Sequence, residues 1–237
     1  MEPKKTNPYL IPGAILLAGI IIAGALYMRP GTAAPAATGP TAEEQQAALD
    51  KLPPVSSADH ILGNPQAKIK IVEYSDLECP FCKAFHGTMT KIMDQFGASG
   101  EVAWVYRHFP IDSLHPISRN ESYAAECAVE LGGEAQFWPF MNGVMAITPS
   151  NNGLDPAELP KIATKIGLNE TAFRECLKNG TKYESKINAQ IADAIATGAQ
   201  GTPWSIMLTP DGKKIPINGA VPYDQMLAAV KEALGKK

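Results

Sequence analysis

The pattern of apolar and polar residues predicts a strand, a helix and a second strand, in that order, after residue 67. An apolar, strand-like run covers Lys68 to Tyr74, and a helical pattern follows from Pro80 to Phe96. In the run Glu101 to His108, bulky side chains occupy alternate positions from Val102 to Tyr106, which is typical of a strand. These three elements predict a β-α-β unit.

Helical patterns without a convincing strand fill the chain from there to Thr197. Gly, Pro and Asn residues separate five predicted helices, at Ile117–Leu131, Gln136–Met145, Asp155–Ile166, Thr171–Leu177 and Tyr183–Thr197. Two short strands then flank the turn signal Asp211-Gly212, and a helix follows. These last elements are predicted at Trp204–Leu208, Lys214–Ile217 and Tyr223–Leu234. The predicted fold class is α/β, with a helical block over about residues 112–198 inserted between a β-α-β and a β-β-α unit.

An uncharged apolar run at residues 9–28 precedes this domain. In a helix that rises about 1.5 Å per residue, the run matches the ~30 Å core of a bilayer, and it is longer than the core of an ordinary signal peptide. We predict a single-pass transmembrane anchor here, with removal as a signal peptide as the alternative. Lys4 and Lys5, against the single Arg29, place residues 1–8 in the cytoplasm. The catalytic domain is then expected at the cell membrane on its extracytoplasmic side, either periplasmic or extracellular.

Residues 29–58 are predicted to form a flexible linker. This stretch is rich in Ala, Pro, Gly, Thr and polar residues, and it contains little apolar material to bury. A short helix between Thr41 and Leu52 is compatible with the sequence. The folded domain is expected to cover residues 59–237.

Charge is nearly balanced along the chain. The 21 Lys and Arg residues against 24 Asp and Glu residues give a formal net charge of −3. Nucleic-acid-binding domains are strongly basic, so this balance indicates that nucleic acid is not a partner. Function must therefore be sought in particular residues.

The stretch Cys79-Pro80-Phe81-Cys82 joins the first predicted strand to the first predicted helix. A cysteine at a helix N-terminus lies beside unpaired backbone N–H groups, and the positive end of the helix dipole stabilises its thiolate. Pro80 suits the first helical position because its missing N–H would have no partner there. Cys82 lies nearly one turn further inside. We therefore predict a redox-active dithiol with Cys79 as its reactive sulfur.

A zinc site and an inert structural pair are the alternatives for these two cysteines. Tetrahedral zinc needs two further ligands, and the remaining cysteines, Cys127 and Cys176, are far apart in sequence. No second close cysteine pair and no histidine pair at ligand spacing occurs in the chain. We predict no metal and no other cofactor.

Other polar residues near the dithiol receive structural interpretations. Asp76 and Glu78 are interpreted as solvated loop acids, and His86 as a partly exposed helix residue, with assistance to the dithiol as the alternative for His86. His108 and His115 are interpreted as residues that shape a loop. None of the five is predicted to take part in the chemistry.

Four groups of residues match one known family. The sequence resembles the DsbA-like thiol:disulfide oxidoreductases from about Asp59 to Leu234. The resemblance implies a thioredoxin fold with a helical insertion, in which Cys79 attacks and Cys82 resolves. It also implies two kinds of partner, exported client proteins with cysteines and a quinone-linked membrane thiol oxidase. The matching stretches are Ile71-Val72-Glu73-Tyr74-Ser75-Asp76-Leu77-Glu78-Cys79-Pro80-Phe81-Cys82, Tyr106-Arg107-His108-Phe109-Pro110 with His115-Pro116, Ala124-Ala125-Glu126-Cys127-Ala128 with Phe137-Trp138, and Gly201-Thr202-Pro203.

The resemblance assigns roles to further residues. Pro203 is expected to be the cis-proline that faces the dithiol, and Thr202 to offer backbone groups to an extended client peptide, with an ordinary turn threonine as the alternative. Glu73 matches the acidic position behind the buried cysteine, where it would take a proton from Cys82. An outward-facing strand glutamate is the alternative. Phe81 cannot donate a hydrogen bond or carry charge, so it gives the Cys79 thiolate no support of that kind.

Cys127 and Cys176 fall on two helices of the predicted helical block. In an exported protein they are expected to form a structural disulfide, with two buried free thiols as the alternative. Closing a loop of that length stabilises a fold by roughly 4 kcal/mol on the chain-entropy model.

The predicted function is an extracytoplasmic thiol:disulfide oxidoreductase that introduces disulfides into exported proteins. A disulfide reductase or isomerase would use the same residues in the other direction. A thioredoxin-fold chaperone or assembly module, in which the dithiol is incidental, is the alternative outside the enzyme class.

Overall fold

A five-stranded mixed sheet organises residues 39–236, the part of the chain that the computed structural model describes. The strand order is β1-β3-β2-β4-β5. Strands β2 and β3 are parallel, and every other neighbouring pair is antiparallel. The strands are β1 (His60–Leu62), β2 (Ile69–Ser75), β3 (Val102–His108), β4 (Trp204–Leu208) and β5 (Lys214–Asn218).

Eight α-helices accompany this sheet within residues 39–236. The five helices predicted between β3 and β4 are all present, with ends that differ by a few residues from the predicted ones. Short 3-10 turns at Glu134–Gln136 and Gly180–Tyr183 connect some of them. The helices are α1 (Ala42–Leu49), α2 (Pro80–Phe96), α3 (Ser118–Gly132), α4 (Phe137–Ile147), α5 (Glu158–Lys165), α6 (Glu170–Lys178), α7 (Glu184–Ala196) and α8 (Tyr223–Ala233).

Strand β2 is buried on both faces because it lies in the middle of the sheet. Ile69 and Ile71 belong to a core that includes residues of α2 such as Phe85. The alternate residues Val72 and Tyr74 belong to a second core on the opposite face. The carboxyl end of this doubly buried strand leads directly into the Cys79 loop.

Strand β1 was not predicted from the sequence. It spans His60–Leu62 and pairs antiparallel with β3, with His60 opposite Tyr106. Three residues are too few for a periodic pattern to be recognised. The sheet therefore has an additional edge strand next to β3.

The packed part of the chain begins before residue 59, inside the segment 29–58 that was predicted to be a flexible linker. Leu49 in α1 and Leu52 after it are buried, with 2% and 8% of their surfaces exposed. The backbone carbonyls of Pro53 and Pro54 accept hydrogen bonds from Arg107 at 3.3 and 3.5 Å. Two leucines in a polar stretch are enough to fix it against the sheet.

The predicted cytoplasmic segment at residues 1–8, the anchor at residues 9–28 and the first part of the linker lie outside the described residues. Within residues 39–236, no helix combines the length and hydropathy needed to cross a bilayer.

A disulfide joins two helices of the inserted block. Cys127 in α3 and Cys176 in α6 have their Cα atoms 5.9 Å apart and their sulfurs 2.08 Å apart. The bond links two helices of the block, and Cys79 and Cys82 are free.

Candidate active site

Cys79 lies at the N-cap of helix α2. Its backbone is extended, with φ −78° and ψ 122°, and Pro80 takes the first helical position as predicted. The Cys79 carbonyl accepts the first helical hydrogen bond from the Lys83 N–H, at 3.1 Å. The sulfur is thus held beside the backbone N–H groups of the first helical turn.

The surroundings of Cys79 lower its thiol pKa from 9.0 to about 6. The hydrogen bond from the Cys82 thiol contributes most, and it outweighs the burial of Cys79, which acts in the opposite direction. The Thr202 side chain and the backbone N–H groups of Phe81 and Cys82 also favour the thiolate. Near neutral pH, the reduced protein therefore presents Cys79 mainly as a thiolate.

Cys82 is fully buried, and its pKa lies well above the ordinary value. Burial is the largest cause, followed by the hydrogen bond with Cys79 and by the charges of Cys79 and Glu73. The backbone N–H of Asp76 donates to the Cys82 sulfur at 3.4 Å. The two thiols therefore differ strongly in acidity, and only Cys79 ionises readily.

Glu73 is buried on β2, with 1% of its surface exposed. It occupies the same strand face as Ile69 and Ile71, which pack toward α2, so the outward-facing alternative does not describe it. Its carboxylate accepts a hydrogen bond from the Trp104 indole at 2.8 Å. Burial raises the pKa of Glu73 to about 7. A carboxyl group that can gain or lose a proton near neutral pH thus lies close enough to Cys82 to influence its charge.

The loop before β4 brings Thr202 and Pro203 to the dithiol. The Thr202–Pro203 peptide bond is cis. The Cys79 thiol donates to the Thr202 carbonyl oxygen at 3.4 Å. The buried Thr202 hydroxyl has no hydrogen-bond partner among the described residues and is therefore free to donate to a Cys79 thiolate. Trp204 is buried, and its indole donates to the Thr197 hydroxyl at 3.0 Å.

An open groove of about 460 Å³ leads to Cys79. Its lining includes Gly201 and Thr202 together with the apolar side chains of Phe81, Ile111 and Leu114. Phe81 and Leu114 are 64% and 62% exposed, which is unusual for large apolar side chains. A peptide with apolar side chains can therefore approach the sulfur along this groove.

Asp76 and Glu78 are buried, so their interpretation as solvated loop acids is wrong. The Asp76 carboxylate accepts from the backbone N–H groups of Glu78 and Ile111, at 2.9 and 2.8 Å. The Glu78 carboxylate accepts from the Thr148 hydroxyl at 2.9 Å and from the backbone of Gly153 at 2.9 Å. Hydrogen bonds from backbone N–H groups compensate for the lost hydration of these buried acids, and they fix the loops around the dithiol.

Glu121 on α3 is a further buried acid near this loop. Burial and the neighbouring Glu78 carboxylate raise the pKa of Glu121 to about 10. Glu121 therefore stays protonated near neutral pH beside the Glu78 carboxylate. The sequence carries no local signal for this pair, because the two residues are brought together only by the fold.

A cluster of His60, His108 and Glu126 contains ligand atoms close enough together to hold a metal ion. The Lys186 ammonium, however, lies 2.7 Å from the Glu126 carboxylate and 3.0 Å from the His60 ring. Burial alone would lower the pKa of His60, but its hydrogen bonds to Glu126 and Glu134 raise the pKa. Lys186 and the His60 ring therefore already balance the charge of the Glu126 carboxylate. None of the three cluster residues belongs to the lining of the groove.

At a helix N-terminus, two neighbouring thiols of such unequal acidity are suited to thiol–disulfide exchange. A family model described as Thioredoxin matches residues 56–232, and the chain belongs to this family. The β-α-β and β-β-α units with the inserted helices form a mixed α/β thioredoxin-like fold.

Solved structures of DsbA-type proteins share this fold. Pseudomonas aeruginosa DsbA2 is 26% identical, with a TM-score of 0.63 over 76% of this chain and 96% of that one. Oxidised BdbD from Bacillus subtilis is 20% identical, with a TM-score of 0.66 over 77% of this chain and 96% of that one, and it shows the fold alone. The DsbA-like resemblance of the sequence is thus confirmed.

Curated relatives are much longer than this chain. Na(+)/H(+) antiporter NhaA 3 from Salinispora tropica is 28% identical over 192 residues, which is 81% of this chain and 27% of that protein. Na(+)/H(+) antiporter NhaA 1 from Salinispora arenicola is 29% identical over 65% of this chain and 22% of that protein. The chain spans about a quarter of the length of these relatives.

Proposed function

We propose that the protein introduces disulfides into exported proteins, through a disulfide between Cys79 and Cys82 that it transfers to its clients. The observation that carries the proposal is the lowered pKa of Cys79, at about 6, at the end of an open groove. A stable Cys79 thiolate is a good leaving group, and it stabilises the reduced form of the protein. Both effects favour a protein that gives its disulfide away.

The exchange proceeds in two displacements. A client thiolate attacks Cys79, a mixed disulfide forms, and Cys82 leaves with the electron pair of the broken S–S bond. Glu73 supplies the proton that Cys82 takes up. The second client thiolate then attacks the client sulfur of the mixed disulfide and displaces the Cys79 thiolate, so that the client is oxidised and the protein is reduced.

Thr202 positions the client peptide in this proposal. Its carbonyl oxygen already lies 3.4 Å from the Cys79 sulfur, where it can accept a backbone hydrogen bond from an extended client segment. Regeneration of the Cys79–Cys82 disulfide is assigned to a quinone-linked membrane thiol oxidase, as the family resemblance implies.

The proposed location is the extracytoplasmic side of the cell membrane, with residues 9–28 as the anchor. The Cys127–Cys176 bond supports it, because structural disulfides persist mainly outside the cytoplasm. The full chain should sediment with membranes and be released by detergent but not by salt, whereas a chain that begins at residue 39 should stay in the supernatant. Release of the full chain by salt alone would contradict the anchor.

Trapping of mixed disulfides tests the exchange itself. In a Cys82→Ala variant the resolving thiol is missing, so adducts through Cys79 should accumulate and appear on non-reducing gels. The matched Cys79→Ala variant should form none. Equal adducts in both variants, or none in either, would contradict the proposal and favour a chaperone or assembly module.

The reduction potential of the Cys79–Cys82 pair decides between an oxidase and a reductase. Equilibration of the pair with glutathione should give a value toward about −120 mV, as in strong oxidants of this kind. A value near about −270 mV would instead support a reductase. An isomerase would be recognised by its ability to rearrange a client with mispaired disulfides.

A role beside a membrane transporter is a second candidate, favoured by the curated relatives. Those relatives are named Na(+)/H(+) antiporters, and this chain corresponds to about a quarter of their length. If this role holds, the Cys82→Ala trap should capture one transporter in preference to a broad set of exported clients.

A further inference from the structure

Besides Cys79 itself, the groove that leads to Cys79 contains a second acid–base group, the imidazole ring of His115. The ring lies in the same groove lining as Cys79 and Thr202. Apart from Cys79, it is the only titratable side chain in that lining among the described residues. Any client thiol that reaches the Cys79 sulfur therefore enters a space in which His115 is the available proton acceptor.

Asp76 fixes the ring of His115. The Asp76 carboxylate lies 2.9 Å from Nδ1 of His115 and also accepts from the Ile111 N–H. An acceptor at Nδ1 holds the hydrogen on that nitrogen, so the lone pair of the neutral ring is on Nε2. Within residues 39–236, no protein atom makes a hydrogen bond to this Nε2. The nitrogen that can accept a proton is thus left free.

The same aspartate also contacts the dithiol. Its backbone N–H donates to the Cys82 sulfur at 3.4 Å, while its side chain holds His115. Asp76 is buried, with 1% of its surface exposed, so these contacts are fixed by the fold. One residue therefore sets the position of the imidazole relative to the dithiol.

We propose that His115 is a catalytic base that takes the proton from the incoming client thiol, with Asp76 as its positioning residue. This inference rests on the proposed function, because it concerns attack of a client on the oxidised protein. In that form Cys79 is bonded to Cys82, so the acidity of Cys79 cannot help the client thiol to ionise. A separate base is needed for that step.

The step balances as follows for a client thiol. The S–H bond of the client breaks, the proton moves to Nε2 of His115, and the sulfur keeps the electron pair. That sulfur forms a bond to Cys79, the Cys79–Cys82 bond breaks, and Cys82 takes its electron pair and then a proton from Glu73. The proton on His115 is released to water in the open groove.

The benefit of this base depends on the client thiol. An ordinary cysteine, with a pKa of about 8.5, is only a few per cent thiolate at neutral pH, and only the thiolate attacks. A thiol that is already ionised at the working pH gains nothing from His115. The effect of removing the base should therefore grow with the pKa of the attacking thiol.

The experiment measures the second-order rate constant for reduction of the oxidised protein at pH 7 by a series of thiols with increasing pKa. His115→Gln should slow the reaction of an ordinary cysteine peptide by about tenfold or more, as expected for loss of a general base. The same variant should leave the reaction of a fully ionised thiol unchanged.

Two further variants separate chemistry from structure. His115→Asn can keep the hydrogen bond to Asp76 but lacks Nε2, so it should lose as much rate as His115→Gln. His86→Gln is the matched control, because His86 is similarly buried, at 8% exposed against 7% for His115, but it bonds to Asn142 at 2.8 Å and lies outside the groove lining. This control should react like the wild type with every thiol.

Other outcomes would overturn the inference. A loss in His115→Gln that is the same for all thiols, or full activity of His115→Asn, would show that His115 acts only through the structure. No loss in either variant would show that it has no role in this step. Failure of the proposed function is distinguishable from these results. If the dithiol were incidental, the wild-type protein would react with none of the thiols at a rate above that of a simple disulfide, and a reductase would be recognised by the reduction potential of the Cys79–Cys82 pair.

Discussion

Single residues at this site differ in acidity because the fold gives each a different environment. Cys79 has a lowered pKa at a helix end, whereas Cys82, nearly one turn further along the same helix, has a raised one. Burial without a compensating charge raises the pKa of Glu73 to about 7. The site thus combines one group that is ionised at neutral pH, one that is protonated and one that changes its state.

Glu73→Gln tests the proton role at this scale. When glutathione is held on Cys79 as a mixed disulfide, Cys82 must lose a proton to release it, and ionised Glu73 can accept that proton. In the wild type, the release rate should rise with pH around a midpoint near 7, the pKa of Glu73. The variant should lack this rise and release glutathione at least about tenfold more slowly above pH 7.

The control for this experiment is Glu232→Gln, the same substitution at an exposed position on α8. It should keep the wild-type profile. An unchanged midpoint in Glu73→Gln would contradict the proton role of Glu73.

The same carboxyl group affects stability, and the sign is fixed by its raised pKa. The folded protein binds more protons than the unfolded chain between pH 4.5 and about 7, so the free energy of unfolding falls as pH rises through that window. Glu73→Gln should remove this part of the pH dependence. Chemical denaturation at several pH values measures this dependence. If the free energy of unfolding varied with pH in the same way in both proteins, the raised pKa of the buried Glu73 carboxyl group would be contradicted.

At the scale of elements, helix α1 and the inserted helices show two ways of holding segments to the sheet. Helix α1 is held by a few apolar side chains against a sheet face that also includes Val72 and Tyr74. The inserted helices α3 and α6 are joined covalently by the Cys127–Cys176 bond. Neither contact lies in the groove lining, so both can be removed to test stability separately from chemistry.

Leu49→Ala tests whether α1 belongs to the folded domain. Leu49 is 2% exposed, and truncation of a buried leucine costs about 2–5 kcal/mol through lost burial and the cavity that remains. The variant should unfold at a lower denaturant concentration, while Gln45→Ala at an exposed position of α1 should not. Equal stability of both variants would indicate that α1 is only a tether.

Removal of the Cys127–Cys176 bond should destabilise the fold without changing the reactivity of the site. The bond closes a loop with a sequence separation of 49, which corresponds to about 4 kcal/mol on the chain-entropy model. The measurement compares urea unfolding of a Cys127→Ala, Cys176→Ala protein with that of its parent. Both should carry Cys79→Ala and Cys82→Ala, so that only one disulfide differs. Coincident unfolding curves would contradict this expectation.

For the whole molecule, sequence patterns predicted the order of elements but not every contact at the site. The helix start at Cys79 and the strand Trp204–Leu208 follow from local signals, namely a proline at the first helical position and an apolar run after a turn. Strand β1 is too short to give such a signal.

The buried acids were predicted less well, for a physical reason. Asp76 and Glu78 look like solvated residues in sequence, because carboxylates are rarely buried without partners. Their partners are backbone N–H groups and side chains from distant loops, such as Gly153 and Thr148, which only the folded chain brings together. The free Nε2 of His115 likewise could not be predicted from the sequence, because only the folded chain places Asp76 beside Nδ1.

The most direct test of the account is the pH dependence of Cys79 reactivity in the reduced wild-type protein. The rate of alkylation should be followed by mass spectrometry, which identifies Cys79 as the modified residue. The account predicts a midpoint near pH 6, with Cys82 unreactive throughout because it is fully buried and its pKa is raised. A midpoint near 9, the value of an ordinary thiol on the same scale, would contradict it.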